Sequence, residues 1–374
     1  MVATPNPRPA RLPALDWLRG FVMVLMTVDH ASGELNAGRL MTDSTSLYTA
    51  GTALPAAQFL TRWMTHLCAP TFVFLAGAAL ALSVERRKAA GASARDLDRF
   101  VVTRGLVIAA LDPLWMSWVF IPGRVLLQVL YAIGGSLVAM AALRRLRTRW
   151  LVVLALVLMV GGEALTGLAL AGTGGVQTVP VALLLTGGRL GSVIVAYPLL
   201  PWLAIMMLGW VLGRHLLSAG PERTAGLVAR GALAALVLFV LVRGLNGYGN
   251  MLLLRDDASP IQWLHVSKYP PSLSYDALEL GLMALCLAPL LRIEQPAPAR
   301  VLGPLLVLGQ TALFYYLLHV HVLALGAWAL DVGHRGGLAA TYAGAFATVL
   351  VLYPLCVWYR GYKRAHPDGW PRYI

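Results

Sequence analysis

Four ionisable side chains stand in the first apolar stretch of the chain: Asp16, Arg19, Asp29 and His30. Such groups are costly inside a long apolar helix and face a cavity or a partner, so each is a candidate for chemistry. Asp16 and Arg19 are three residues apart, share a helix face and can pair. Arg19 and His30 are eleven apart, close to three full turns, and so also share a face, separated by roughly 16 Å along the axis. A guanidinium at one depth suits an anionic group, and a neutral imidazole at the other suits proton transfer near neutral pH. Asp29 follows a direction about 100° around the helix from His30. It is therefore expected to contact substrate or orient a second histidine, His66, rather than His30. The plainer alternative is that Asp16 and Arg19 mark one end of a short helix and Asp29 and His30 the other.

The elements that would hold these groups follow from composition. The 374 residues are 58% hydrophobic and 13% charged, more apolar surface than a soluble core of this size can hide. Stretches long enough to cross a bilayer, about 20 helical residues each, recur near 13–33, 56–83, 100–120, 123–143, 150–172, 193–214, 226–246, 274–291, 301–328 and 338–360. Residues 181–192 are apolar but contain Gly187, Gly188 and Arg189, which makes them a re-entrant piece or an eleventh span. The net charge of +13 is spread between apolar runs rather than gathered into a patch, which argues against nucleic acid and for topology signals.

One alternating set of ends carries Arg8, Arg11, the 86–99 group, Arg144, Arg145, Arg147, Arg149, Arg214, Arg223, Arg230, Arg292, Arg300, Arg360, Lys363, Arg364 and Arg372, 20 basic residues in all. The other set carries 8, among them Arg39, Arg62 and Lys268. The positive-inside rule then places both termini in the cytoplasm. The expected fold is an all-α polytopic transmembrane bundle of about ten spans, one domain over 1–374, with cytoplasmic segments at 1–12 and 361–374. A cleavable signal peptide competes for the first stretch, but Asp29 and His30 sit where one should be apolar or small. Cys68, Cys286 and Cys356 lie far apart and suggest neither a disulfide framework nor a metal site.

Several motifs together carry a resemblance. Leu15-Asp16-Trp17-Leu18-Arg19-Gly20 followed by His30 resembles the opening helix of the transmembrane acyltransferase superfamily, with an arginine-to-histidine spacing similar to its acyltransferase-3 branch. Phe59-Leu60-Thr61-Arg62-Trp63, His66 and Ala69-Pro70-Thr71-Phe72-Val73-Phe74-Leu75-Ala76-Gly77 resemble bacterial relatives of heparan-alpha-glucosaminide N-acetyltransferase. So do Thr103-Arg104-Gly105-Leu106, Tyr197-Pro198-Leu199-Leu200-Pro201-Trp202 and Phe314-Tyr315-Tyr316-Leu317-Leu318-His319. There is one departure: the lysosomal enzyme's proposed active histidine lies between its first two membrane helices, and the loop 34–55 has no histidine.

The resemblance implies a bacterial inner-membrane enzyme that moves an acetyl group from cytoplasmic acetyl-CoA to an amine or hydroxyl of a carbohydrate acceptor outside, without a metal. His30 is then the expected catalytic imidazole, with His66 second and Asp29 assisting. Arg19, Asp16, Arg104 and Arg99 are expected at the coenzyme A end, and Arg62, His319 and Tyr316 at the acceptor. Direct attack with His30 as base and an acyl-histidine relay both remain open. Other polar groups have two readings each. Asp112 caps a kinked half-helix or lines a cavity, while Gln128 and Glu163 are interhelical partners or cavity-lining groups. Trp115, Trp118, Trp202, Trp263, Trp358 and Trp370 mostly suit an aromatic belt. Intramembrane Asp, Arg and His are also the material of transport pathways, so a transporter, or a non-catalytic relative, is the alternative.

Overall fold

A computed structural model describes residues 12–293, 299–366 and 369. Arg8, Arg11, Trp370 and Arg372, and with them most of the two expected terminal segments, lie outside these residues, as does the Arg300 side chain.

The chain forms an all-α bundle. Its helices are α1 (Pro13–Leu35), α2 (Ala56–Trp63), α3 (Cys68–Ala89), α4 (Ala94–Leu111), α5 (Ser117–Phe120), α6 (Val129–Leu143), α7 (Thr148–Gly172), α8 (Val179–Val181), α9 (Leu199–Leu245), α10 (Pro260–Leu264), α11 (Leu273–Leu290), α12 (Ala299–Gln310), α13 (Ala312–Ala329) and α14 (Leu338–Ala365). Among the described residues, seven helical stretches are long and apolar enough to cross a membrane. One of them, α9, is really two rods, because Gly220 has φ 77° ahead of Pro221 and breaks the ladder. The charged α1 and the 15-residue α6 complete the set. Each expected apolar stretch thus contains helix, though not always as one unbroken rod.

Three departures from uniform helix matter for the site. A 3-10 turn, Met64–Leu67, interrupts the second span between α2 and α3 and carries His66. A π turn over Asp112–Met116, beginning one residue before Pro113, bends the third span between α4 and α5. Residues 123–143 are not one helix: β1 (Val125–Leu127) precedes α6, pairing in parallel with β3 (Val193–Val195), which pairs antiparallel with β2 (Gly188–Leu190). The apolar segment 181–192 is therefore a π turn and part of this small sheet, not an eleventh span. Glycines at 187, 188 and 191, all at positive φ, keep it from continuing as helix.

α1 packs on α12, α14, α13 and α3, so its charged face is enclosed by other helices. The approach to α12 is close: a Cβ at Gly20 would overlap the Leu305 carbonyl, and one at Gly309 the Asp16 carbonyl. Small residues at both crossing points let the backbones meet there. Loops at the same end bond to one another. At the His30 end, Gly336 N donates to Leu35 O (2.8 Å), Lys268 N to Asp43 O (2.8 Å) and Thr45 Oγ1 to Met251 O (2.6 Å). At the Arg19 end, Arg144 and Arg145 both hold Asp98, and Arg214 reaches Leu146 O at 2.8 Å. Trp115, Trp118 and Trp358 face outward as an aromatic belt would, whereas Trp202 is fully buried with its ring 4.6 Å from that of Tyr197.

Candidate functional site

Two cavities lie along α1. The larger, about 340 Å³, opens at the Arg19 end and is lined by Asp16, Arg19, Arg86, Arg104 and Lys363 among apolar side chains. The smaller, about 40 Å³, contains His30, Asp29, Cys68, Gln128, Tyr197 and Lys268. Phe72, Val129 and Tyr316 line both, so the cavities abut at these three side chains.

In the larger cavity Arg19 Nη1 donates to Asp16 Oδ1 (2.8 Å) and to Gly309 O (3.3 Å), bonds that the close α1–α12 crossing makes possible. Gln310 adds a contact to Asp16 Oδ2 at 3.4 Å. Arg104 Nε is buried and has no hydrogen-bond partner among the described residues. Of the described side chains lining this end, four are cations and one is a carboxylate, and with Arg104 Nε lacking a described partner the end suits phosphate, for which guanidinium forks are well shaped. Arg99 is exposed on α4 and does not line the cavity.

At the other end, His30 does not stand alone. Its Nδ1 lies 2.5 Å from His319 Nε2, and the two rings stack at 4.8 Å between centroids, 16° from parallel. His319 Nδ1 lies 2.7 Å from the Tyr316 carbonyl, an oxygen that only accepts. The proton of a neutral His319 is thereby fixed on Nδ1, its Nε2 accepts, and His30 donates from Nδ1. The lone pair of His30 is left on Nε2. α13 supplies this arrangement, pinned to α1 by the bond between Tyr315 OH and Thr27 Oγ1 (2.8 Å). Thr27 Oγ1 already donates to Met23 O at 2.8 Å, so the tyrosine is the donor. The bent third span brings Phe120 edge-on to His30, 5.2 Å between centroids.

Beside this pair runs a buried ionic network. Arg62 Nη1 donates to Asp29 Oδ1 (2.6 Å), its Nε to Asp43 Oδ2 (2.8 Å), and its Nη2 to the same Asp43 oxygen. Arg39 also pairs with Asp29 Oδ1, at 3.0 Å. Burial pushes the Asp43 carboxyl up, but the Arg62 guanidinium outweighs it and, with His66, holds the group far below the usual carboxylate range. His66 Nε2 lies 3.2 Å from Asp43 Oδ1 yet out of line for a hydrogen bond, and neither ring nitrogen has a partner among the described residues. Asp29 thus does not touch His66; it reaches that histidine's neighbour through Arg62.

The structure brings together His30, His319, Tyr316, Asp29, Arg62 and His66 at one end, and Arg19, Asp16 and Arg104 at the other. Asp112 is a cap: its Oδ2 accepts from Gln128 N and Tyr131 N, both at 2.7 Å, at the start of α6. Glu163 is structural, accepting from Gly249 N (2.7 Å) and Met251 N (2.9 Å). His321 turns away from His319 and packs against Trp115 and Trp118. Sequence reasoning did not single out Asp43 or Lys268, which sit in loops that read as solvated. The one available signal was that Lys268 is a cation on the side where the positive-inside rule depletes them. Among the described residues no group of three or more His, Cys, Asp or Glu is placed to hold a metal ion.

A family model described as heparan-alpha-glucosaminide N-acetyltransferase, catalytic, matches residues 11–243, more than half of the chain. No curated protein matches the chain. The matched region holds Arg19, His30, Arg62, His66 and Arg104, while His319, Tyr316 and Lys268 lie beyond it.

Proposed function

The chain belongs to the heparan-alpha-glucosaminide N-acetyltransferase catalytic family, a family of membrane acetyltransferases, and from that membership we propose that it transfers an acetyl group from acetyl-CoA across the bundle. The donor binds from the cytoplasm with its phosphates at Arg19, Arg86 and Arg104. The pantetheine arm runs between Phe72, Val129 and Tyr316, and the thioester ends beside His30. The acceptor, an amine or hydroxyl of a cell-envelope carbohydrate, arrives from the opposite side of a bacterial inner membrane. The observation that carries this reading is the pair of abutting cavities on one face of α1, with Arg19, Arg86 and Arg104 lining the first and His30, held from behind by His319, lining the second.

His30 Nε2 takes the proton of the acceptor as its lone pair attacks the carbonyl carbon. The tetrahedral adduct collapses, the C–S bond breaks, and the departing thiolate of coenzyme A takes that proton back from His30. Direct transfer needs only one histidine with a free lone pair, which the His319 contact provides; the acyl-histidine relay would use the same nitrogen. Incubation of the purified protein with radiolabelled acetyl-CoA and a panel of amino sugars and envelope glycans tests the reading. Labelled product that His30→Ala abolishes supports it. Solute flux in liposomes without acetyl-CoA binding would replace it with transport.

A further inference from the structure

Lys268 is 2% exposed and lines the smaller cavity with His30, yet its ammonium makes no hydrogen bond or ion pair among the described residues. Its Nζ lies 5.3 Å from the centroid of the Tyr269 ring. The neighbouring carboxylates are already engaged: Asp29 by Arg39 and Arg62, and Asp43 by Arg62 beside His66. Among the described residues, the ion pairs of Asp29 and Asp43 are all made with Arg39, Arg62 and His66, and Lys268 takes part in none of them. Glu279 on α11 is buried within electrostatic reach of Lys268, with one oxygen lacking a hydrogen-bond partner among the described residues, and it forms no ion pair with the lysine. A buried cation in that position is costly unless something anionic visits it.

A second group in the same cavity is unpartnered. Gln128 Nε2 is buried without a hydrogen-bond partner among the described residues. Its backbone is held, because Asp112 accepts from Gln128 N at 2.7 Å. Lys268 is held likewise, its backbone N–H donating to Asp43 O at 2.8 Å. An ammonium and an amide N–H carried on held backbones, both without a hydrogen-bond partner among the described residues and both lining the cavity of the candidate base, are the kind of donors that stabilise a developing oxyanion.

We propose that Lys268 and Gln128 form an oxyanion site in the His30 cavity, binding the carbonyl oxygen of the thioester as it becomes negative. The proposal rests on the acyl-CoA reading above. When the acceptor attacks, the carbonyl π pair moves to oxygen, and that charge is met by the Lys268 ammonium and the Gln128 amide. On collapse the pair returns to re-form C=O, the C–S bond breaks, and the donors are released unchanged. Arg39 and Arg62 cannot serve, since their forks are committed to Asp29 and Asp43.

Two inert thioethers separate this claim from the reading it rests on. S-Ethyl-coenzyme A fills the donor site without charge at the acyl position, and S-carboxymethyl-coenzyme A places a carboxylate there. Calorimetric titration of the full-length protein should show the carboxymethyl compound binding about tenfold more tightly, the worth of a charge-assisted hydrogen bond. Lys268→Met should erase that preference while leaving S-ethyl-coenzyme A binding within about twofold, and Lys268→Arg should keep part of it. Gln128→Leu should reduce it. Equal binding of the two compounds to the wild-type protein, or an undiminished preference in Lys268→Met, would overturn the oxyanion site while leaving the donor site standing. Binding of neither would overturn the acyl-CoA reading and this proposal together. Should Lys268→Met fail to fold, seen as loss of S-ethyl-coenzyme A binding, the wild-type comparison and Gln128→Leu still decide.

Discussion

His30 owes its free lone pair to a neighbour 289 positions along the chain, His319, whose own proton is held by the Tyr316 carbonyl. On the proposed mechanism His30→Ala removes the base and should lower the transfer rate by about 10²–10⁴-fold with coenzyme A affinity unchanged, measured as kcat against donor Kd. His319→Ala leaves the base in place but frees its tautomer, so kcat should fall by a smaller factor, about tenfold, while the donor KM stays put. Arg104→Ala should do the reverse, raising the acetyl-CoA KM about tenfold with kcat nearly intact. Arg19, His30 and their shared face were legible from spacing alone, because eleven residues is close to three helical turns. The partnership with His319 was not, because two helices that distant in sequence meet only through packing. The pairing of Asp29 with Arg39 and Arg62 was hidden for the same reason.

At the scale of elements, interruptions of regular helix do the positioning. The π turn at Asp112 bends the third span so that Phe120 reaches His30, and the same aspartate caps α6. Asp112→Ala should cost about 1–2 kcal/mol, read as a lowered unfolding midpoint, and Asp112→Asn, which keeps an acceptor oxygen, less. The loop between α1 and α2 is fastened by Asp43 on Arg62. Because Arg62 depresses the Asp43 pKa, the stabilisation is fully present above the unfolded value of about 3.9 and is lost only as pH falls through the lower folded value. The stability difference between wild type and Asp43→Asn should therefore be large, about 3–5 kcal/mol for a broken buried pair, and flat from pH 8 to pH 5 in thermal melts. Apolar length predicted where helices run, since burying backbone in lipid leaves few alternatives. It could not foresee the strand pairing of 125–127 with 193–195, a contact between short apolar segments that hydropathy reads only as membrane.

For the whole molecule, the loop contacts sort the helix ends into the same two sets as the alternation of basic residues, and on the positive-inside rule the proposed orientation has Arg19 inward and His30 outward. With cysteine introduced at exposed positions in a protein whose own three cysteines are replaced, Ser46→Cys should react with a membrane-impermeant maleimide on intact spheroplasts. Ala90→Cys should react only after permeabilisation. The bundle was legible as a whole because 58% apolar composition admits few other folds, while the cavities were not, because they arise where the helices fail to fill space. The central claim is that a donor entering between Arg19 and Arg104 delivers its thioester to the His30–His319 pair. An experimental density map of the His30→Ala protein with acetyl-CoA bound tests it most directly. The phosphates should lie against Arg19, Arg86 and Arg104, the pantetheine between Phe72, Val129 and Tyr316, and the thioester carbon at the position vacated by the imidazole; a bound coenzyme whose thioester ends anywhere else, beside His66 for example, would contradict it.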